Sequence, residues 1–244
     1  MVNNWLKKLQ PVLFPSTCRL CRAAGLPGLE LCPACLSELP WLAHSCSRCA
    51  LPLPREAGIT LCFNCIKTHP SVDRCTALFE YRPPVDRWIQ DLKFAQDLAT
   101  ARFLGELLAS KLAVENEERP AIVLPVPLHR KRLAERGYNQ ALEIARSLSE
   151  KGYRLDPRCC QRHKATSAQS DLPASARKQN VRNAFSVSRC LDGRRMLLID
   201  DVMTTGATLN ELARTLKNAG AERVEAWVIA RTGHKNGHWQ RGQI

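Results

Sequence analysis

Asp200 and Asp201 stand side by side, and Val202, Met203 and the run Thr204-Thr205-Gly206-Ala207-Thr208 follow at once. No other stretch of this 244-residue chain is as well suited to chemistry. If a helix starts at the run, its first N–H groups lack intrahelical partners, and with the helix dipole they hold a phosphate. Threonine hydroxyls add donors, and Gly206 lets the backbone approach a ligand closely. The paired carboxylates suit vicinal hydroxyls, whose protons they accept, and on a solvated loop they are expected to stay anionic. A phosphate in the turn beside a diol on the aspartates describes a 5-phosphoribosyl group. The pattern is not a P-loop, because no lysine follows the glycine as required, and GxGxxG is absent.

A second constellation lies near the start. Eight of the twelve cysteines form four C-x-x-C pairs: Cys18/Cys21, Cys32/Cys35, Cys46/Cys49 and Cys62/Cys65, with gaps of ten, ten and twelve residues. Each pair offers two thiolates to one tetrahedral zinc, and two pairs complete a site. Two structural Zn2+ sites of four cysteines are expected. Sequential pairing gives two successive zinc ribbons, although spacing alone also permits interleaved pairing. Disulfides would need an oxidising compartment, and a redox C-x-x-C is expected singly beside a βαβ pattern. Closed four-ligand sites leave no open position for catalysis. His44 and His69 read as surface residues, and Cys75, Cys159, Cys160 and Cys190 as small apolar fillers.

The elements that must position these groups follow from periodicity. Met196–Ile199 reads as a buried strand ahead of the aspartates, and Leu209 to about Asn218 as a helix stopped by Gly220. A strand's carboxyl end is where open parallel sheets bind ligands. Thr76–Tyr81, Ala121–Pro127 and Arg223–Ala230 read as further strands, and Tyr153–Cys159 as another. Val85–Phe94, Ala99–Val114 and Asn139–Lys151 have helical spacing. Leu128–Arg132 is expected to be a loop. Composition changes after Pro70, which suggests a cysteine-rich module over residues 1–70 and a body over 71–244. Residues 71–120 are expected to supply the hood over a bound ligand, and carry no nucleobase-recognition motif.

The net charge of +13 is uneven: residues 121–190 carry +9, from 14 basic and 5 acidic side chains. A polyanionic ligand needs such charge locally and a nucleic acid needs it over a wider surface. No apolar run reaches transmembrane length. The first fifteen residues lack a signal peptide's apolar region and cleavage site, so neither secretion nor membrane insertion is expected.

The stretch Leu197–Thr208 resembles the type I phosphoribosyltransferases, whose signature for phosphoribosyl pyrophosphate (PRPP) is an apolar strand, two acidic residues and a Thr-Gly-Ala/Gly-Thr turn. Further segments sharpen the likeness: the cysteine module, LPVPLHRKRLAERGYNQA at Leu124–Ala141 with its RGYNQ run, and Arg177–Phe185. In that order they resemble the ComF/GntX family over nearly the whole chain. The resemblance implies an α/β fold, with a type I phosphoribosyltransferase-like parallel sheet flanked by helices and a small N-terminal double zinc-ribbon module.

The resemblance also implies PRPP binding with Mg2+. Asp200 and Asp201 would serve as catalytic residues, Val202–Thr208 would hold the sugar phosphate, and backbone amides over Val126, Pro127, Leu128 and His129 would hold pyrophosphate. Arg132 and Arg136 are close enough in sequence to neutralise it. A mobile loop over Gln161–Phe185 is expected to cover the site. The implied role is uptake or utilisation of DNA in the cytoplasm, with single-stranded DNA and competence or DNA-processing proteins as partners. Trp41 and Phe63 are candidates for stacking on bases. Two other readings stay open, a nucleobase-salvage phosphoribosyltransferase and a non-catalytic PRPP-binding regulator; turnover itself is not legible.

Overall fold

The computed structural model describes residues 16–115, 120, 122–165 and 181–233. The expected lead-in over residues 1–15, the loop at 116–119, the centre of the expected mobile loop at 166–180 and the tail from 234 lie outside the described residues. The chain divides into two compact units, Met1–Pro40 and Trp41–Ile244.

The first unit has little regular structure. Antiparallel bridges Thr17↔Ala24 and Leu26↔Leu29 and the short helix α1 (Pro33–Ser37) form it. Pro33 suits the first helical position because its missing N–H would have no partner there. Arg19 pairs with Glu30, and Leu31 is fully buried.

The second unit opens with another cysteine-rich stretch, in which a bridge Ser45↔Pro52 precedes helix α2 (Phe63–Thr68). The body follows as β1 (Arg74–Glu80), α3 (Val85–Phe94), α4 (Leu98–Glu115), β2 (Ile122–Pro125), α5 (Arg130–Arg136), α6 (Gln140–Glu150), β3 (Cys160–Arg162), β4 (Phe185–Val187), β5 (Arg195–Met203), α7 (Ala207–Asn218) and β6 (Arg223–Arg231). Four strands make one parallel sheet in the order β1-β6-β5-β2. The central strands are near-continuous apolar runs because helices cover parallel sheets on both faces. Met196–Ile199 on β5 and Ala226–Ala230 on β6 are buried accordingly.

The helices seat on this sheet by their apolar stripes. α7 buries Ala207, Leu209, Leu212, Ala213 and Leu216, and α6 buries Ala141, Ile144, Ala145 and Leu148. α4 meets α6 closely at Gly105, where a Cβ would collide with the Ile144 carbonyl and come within 2.7 Å of Ser147 Oγ. No helix among the described residues is long and apolar enough to cross a membrane.

Four local expectations are corrected. Tyr153–Cys159 is not a strand. Leu155 makes a single parallel bridge to Val123 of β2; the Asp156 carboxylate then accepts from the Arg158 and Cys159 amides (3.0 and 3.1 Å) and turns the chain, and antiparallel pairing with Phe185–Val187 starts at Cys160. The basic loop beyond Leu128 is instead α5, capped by His129, whose Nδ1 accepts from Lys131 N at 3.2 Å, and closed by Gly137 in the left-handed region. Cys75, Cys159 and Cys160 are buried, but Cys190 is exposed. Finally, β5 does not end at Ile199: pairing with β6 runs on through Asp200↔Val228, Val202↔Ala230 and Met203↔Arg231.

Candidate functional site

Because β5 continues, the two aspartates sit on a strand end and not on a solvated loop. Adjacent strand residues point to opposite sides, and the two carboxyls have different surroundings. Asp201 is 4 % exposed. Its Oδ1 accepts from Val202 N (2.6 Å), while its Oδ2 lies 3.1 Å from Lys93 Nζ. That approach is an ion pair, although Oδ2 lacks an aligned hydrogen bond. Asp200 is half-buried and accepts from Asp201 N at 2.9 Å. Protein packed around its carboxyl, and next the Asp201 charge beside it, push its pKa up to about 7. The expectation of two fully anionic carboxylates is therefore corrected for Asp200, which exchanges its proton near neutrality.

The turn behind them is as short as the sequence implies. After Met203 the chain bends at Thr204–Gly206, and α7 begins at Ala207 with Gly206 as its cap at φ 76°. Only glycine holds that conformation cheaply, and a Cβ there would also collide with Met203 Cε. A niche of about 30 Å³ opens against Asp200, Val202, Thr204, Gly206, Ala207 and Thr208. Of the residues expected to hold a sugar phosphate, all but Thr205 line this one small cleft at a helix N-terminus, and Thr205 faces the other side of the turn.

The segment after β2 is placed beside this niche with fewer donors than expected. The Val126 amide is committed to the Ile199 carbonyl (2.9 Å), and Pro127 has no N–H. Amide contacts from this segment to a ligand fall to Leu128 and His129. The RGYNQ run explains itself structurally. Asn139 caps α6 through Oδ1 to Ala141 N (3.0 Å), and its Nδ2 donates to the Val126 carbonyl (3.0 Å). Arg136 donates to Gln140 Oε1 (2.6 Å), and the Tyr138 hydroxyl donates to the Leu92 carbonyl. The run therefore joins α5, α6, the segment after β2 and the hood helix α3.

Cationic groups surround the aspartates. Burial pulls the Arg136 guanidinium below its ordinary value, against the attraction of Asp201. Burial and the neighbouring Arg132 lower Arg162 as well, while Asp200 acts in the opposite direction. Arg162 lies over the Phe185 ring at 5.7 Å, and the bridge His129↔Arg162 holds it beside the segment after β2. Sequence reasoning names Arg132 and Arg136 but misses Lys93 and Arg162. Lys93 sits on a helix 108 positions before Asp201, and no local pattern joins them.

The cysteines gather into two sets, Cys18/Cys21/Cys32/Cys35 and Cys46/Cys49/Cys62/Cys65, with the sulfurs of each within 4.8 Å of one another. Pairing is therefore sequential. Two contacts test the fit to zinc: Cys21 Sγ to Cys32 Sγ is 3.6 Å and Cys49 Sγ to Cys62 Sγ is 3.7 Å. Tetrahedral Zn–S bonds of about 2.3 Å require an edge of roughly 3.8 Å, whereas a disulfide would bring sulfurs to about 2.05 Å. All eight are free thiols. Backbone amides add the bonds of a knuckle, Cys35 N to Cys32 Sγ at 3.4 Å and Cys62 N to Cys46 Sγ at 3.3 Å. Both sets fit structural zinc.

The second set is built into the body. Cys75 N donates to the Ser47 carbonyl (2.8 Å), and Leu42 N to the Leu78 carbonyl (2.9 Å). Trp41 stacks on Phe79 with centroids 4.6 Å apart. The buried Arg231 guanidinium donates to the Cys49 carbonyl (2.8 Å) and also to the carbonyls of Met203 (3.1 Å) and Thr204 (2.5 Å). One side chain thus ties this ribbon to the phosphate turn. Phe63 on α2 is 81 % exposed, whereas Trp41 has its ring against Phe79.

Comparison with known proteins agrees with both halves. A family model described as phosphoribosyl transferase domain matches residues 134–243, and one described as double zinc ribbon domain matches residues 9–66. Competence protein F of Haemophilus influenzae is 36% identical over 82% of this chain and 90% of its own. DNA utilization protein YhgH of Escherichia coli K12 is 31% identical over 89% of this chain and 98% of its own. Competence protein ComFC of Streptococcus pneumoniae is 24% identical over 84% and 82%.

Proposed function

The chain belongs to the ComF/GntX family of phosphoribosyltransferase-domain proteins with a double zinc ribbon, and from that premise we propose that it binds PRPP with magnesium and serves the uptake or utilisation of DNA in the cytoplasm. The observation that carries the ligand reading is the niche that joins Asp200 to the Thr204–Thr208 turn at the N-terminus of α7. A 5-phosphate suits the N–H groups of that turn. The ribose hydroxyls suit the Asp200 carboxylate as a hydrogen-bond acceptor, the form that prevails above its pKa of about 7. Arg132, Arg136 and Arg162 are the cations placed to balance a pyrophosphate.

Magnesium fits the oxygen donors of Asp200 and of the ligand, and when bound it would neutralise pyrophosphate charge. The chain's own residues orient the sugar, balance the charge and, through the Leu128 and His129 amides, position the leaving phosphates. Lys93 on α3 pairs with Asp201 and so ties that helix to the carboxyl end of β5. Calorimetry with PRPP, with and without magnesium, tests the reading, and pyrophosphate release in the presence of nucleobases tests turnover.

The DNA reading is supported by the names of the relatives and by the +9 carried on residues 121–190. It predicts weak, sequence-independent binding to single strands, with a log–log salt slope of roughly −0.7 per phosphate neutralised. Stacking on Phe63 would add affinity that salt does not remove. Titration with fluorescent oligonucleotides at low salt that shows no binding by the intact chain would overturn direct contact.

A further inference from the structure

A larger cavity, of about 440 Å³, lies on the other side of the phosphate turn, between the second ribbon and α7. That volume is in the range of small-ligand sites. It shares Met203, Gly206 and Ala207 with the phosphate niche, but Asp200 and Thr204 line only the niche, and Arg48, Arg182 and the turn residue Thr205 line only the cavity. Five segments supply its walls: α2 with Arg48 and Cys49 ahead of it, Pro70 and Val72 before β1, the stretch Val181–Asn183 before β4, the Met203–Gly206 turn, and the face of α7 from Ala207 to Arg214.

The charges in the cavity select an anion. Its single carboxylate, Glu211, already accepts from Arg214 (2.6 Å) and from Asn183 N (2.7 Å). Glu211 pairs with Arg214 and also lies within the field of Arg182, so one carboxylate faces three guanidinium groups and the cavity keeps a net positive charge. Arg48 commits one N–H to the Pro70 carbonyl (3.2 Å), and Arg182 makes no hydrogen bond among the described residues that would neutralise it. Asn210 accepts Ser71 N with its Oδ1, which leaves its Nδ2 donors to the cavity. Two guanidinium forks and an amide donor suit a phosphate group. The remaining wall is mixed: Asn64, Thr68 and Thr205 are polar, the cluster cysteines Cys49 and Cys65 border it, and the buried Val72, Val181 and Met203 form an apolar patch. That patch suits a flat body that is largely unhydrated.

We propose that this cavity is a second ligand site, distinct from the PRPP site, for a 5′-nucleotide, with the phosphate on Arg48 and Arg182 and the base against Val72, Val181 and Met203. A free nucleotide and the 5′-phosphorylated end of a strand present the same chemistry. Because Gly206 and Ala207 border both sites, occupancy here changes PRPP affinity; that coupling rests on the PRPP reading, while the site itself does not.

The test is calorimetric titration of dAMP into the full, zinc-loaded chain, with and without saturating PRPP and magnesium. Binding to one site in both conditions is expected. Arg182→Gln should weaken it about tenfold, the loss expected for one charged hydrogen-bonding partner. Arg182 is exposed, so this variant keeps the fold; Arg48→Gln is the companion. The Asp200→Asn/Asp201→Asn double variant should retain dAMP binding, which separates failure of this site from failure of the PRPP site. Competition then identifies the source. Displacement by a 5′-phosphorylated hexanucleotide but not by its 5′-hydroxyl form assigns strand ends, and displacement by neither assigns the free nucleotide. No dAMP binding in either condition overturns the proposal, and so does binding lost in the aspartate variant but unchanged in both arginine variants.

Discussion

The two four-cysteine clusters have the same ligands and nearly the same spacing, yet they do different structural work. The first closes a unit of its own, whose bonds run within residues 16–40: Cys18 N to the Ala23 carbonyl (2.8 Å), Arg19 N to Glu30 (2.9 Å), Leu26 N to Leu31 (2.8 Å). The second belongs to the unit that contains the sheet, and Arg231 passes from its Cys49 carbonyl to the phosphate turn. Identical metal chemistry can therefore hold a module together in one place and brace the turn after β5 in another. What decides is the partners of the knuckle carbonyls, not the cysteines.

The largest expected effect separates the two clusters directly. Cys46→Ser should remove one zinc and destabilise the body by on the order of 5 kcal/mol, since zinc binding energy in such sites is folding energy. Cys18→Ser should also remove one zinc, yet leave the body's cooperative transition in place. Elemental analysis with thermal unfolding followed at Trp227, fully buried in the sheet, reads both. Equal damage to the body from the two substitutions would break the comparison.

Next in size is Arg231→Met. It leaves the carbonyls of Cys49, Met203 and Thr204 without their shared donor, at a cost of about 3 kcal/mol. Both zinc ions should stay bound while PRPP affinity falls. Unchanged PRPP affinity would mean that the ribbon does not brace the turn.

The smallest effect is in pH. Asp200 has its pKa raised to about 7 in the folded chain, so its contribution to stability is fully present below the ordinary carboxylate pKa and is lost as pH rises through about 7. Ligand binding that needs its anion runs the other way and should strengthen roughly tenfold from pH 6 to 8, with proton release in calorimetry. Acid should strip zinc from both clusters, because thiolates must be deprotonated to bind.

These features are unequally legible in the sequence. The cysteine sites can be read because ligand spacing is local, and the strand–turn–helix at Met196–Asn218 because apolar run, turn residues and helical period follow one another without interruption. The segment Leu128–Arg132 reads as a loop, but from Arg130 it folds as the helix Arg130–Arg136. It is short and highly charged, and its caps, His129 and Gly137, are visible as caps only once the helix is known. Lys93 and Arg162 reach the aspartates through tertiary packing alone. The attachment of the second ribbon to the sheet rests on bonds such as Cys75 to Ser47 and Arg231 to Cys49, which no spacing rule encodes.

The central claim is that Asp200, Asp201 and the Thr204–Thr208 turn form a PRPP site, and calorimetric titration of PRPP with magnesium into the wild-type chain and the Asp200→Asn/Asp201→Asn variant tests it most directly. The account predicts one site per chain in the wild type and a loss of at least about tenfold in the variant, the consequence of removing the Asp200 acceptor from the ribose hydroxyls and the Asp201 partner from Lys93. Equal affinity in the two proteins, with both zinc ions still bound, would contradict it.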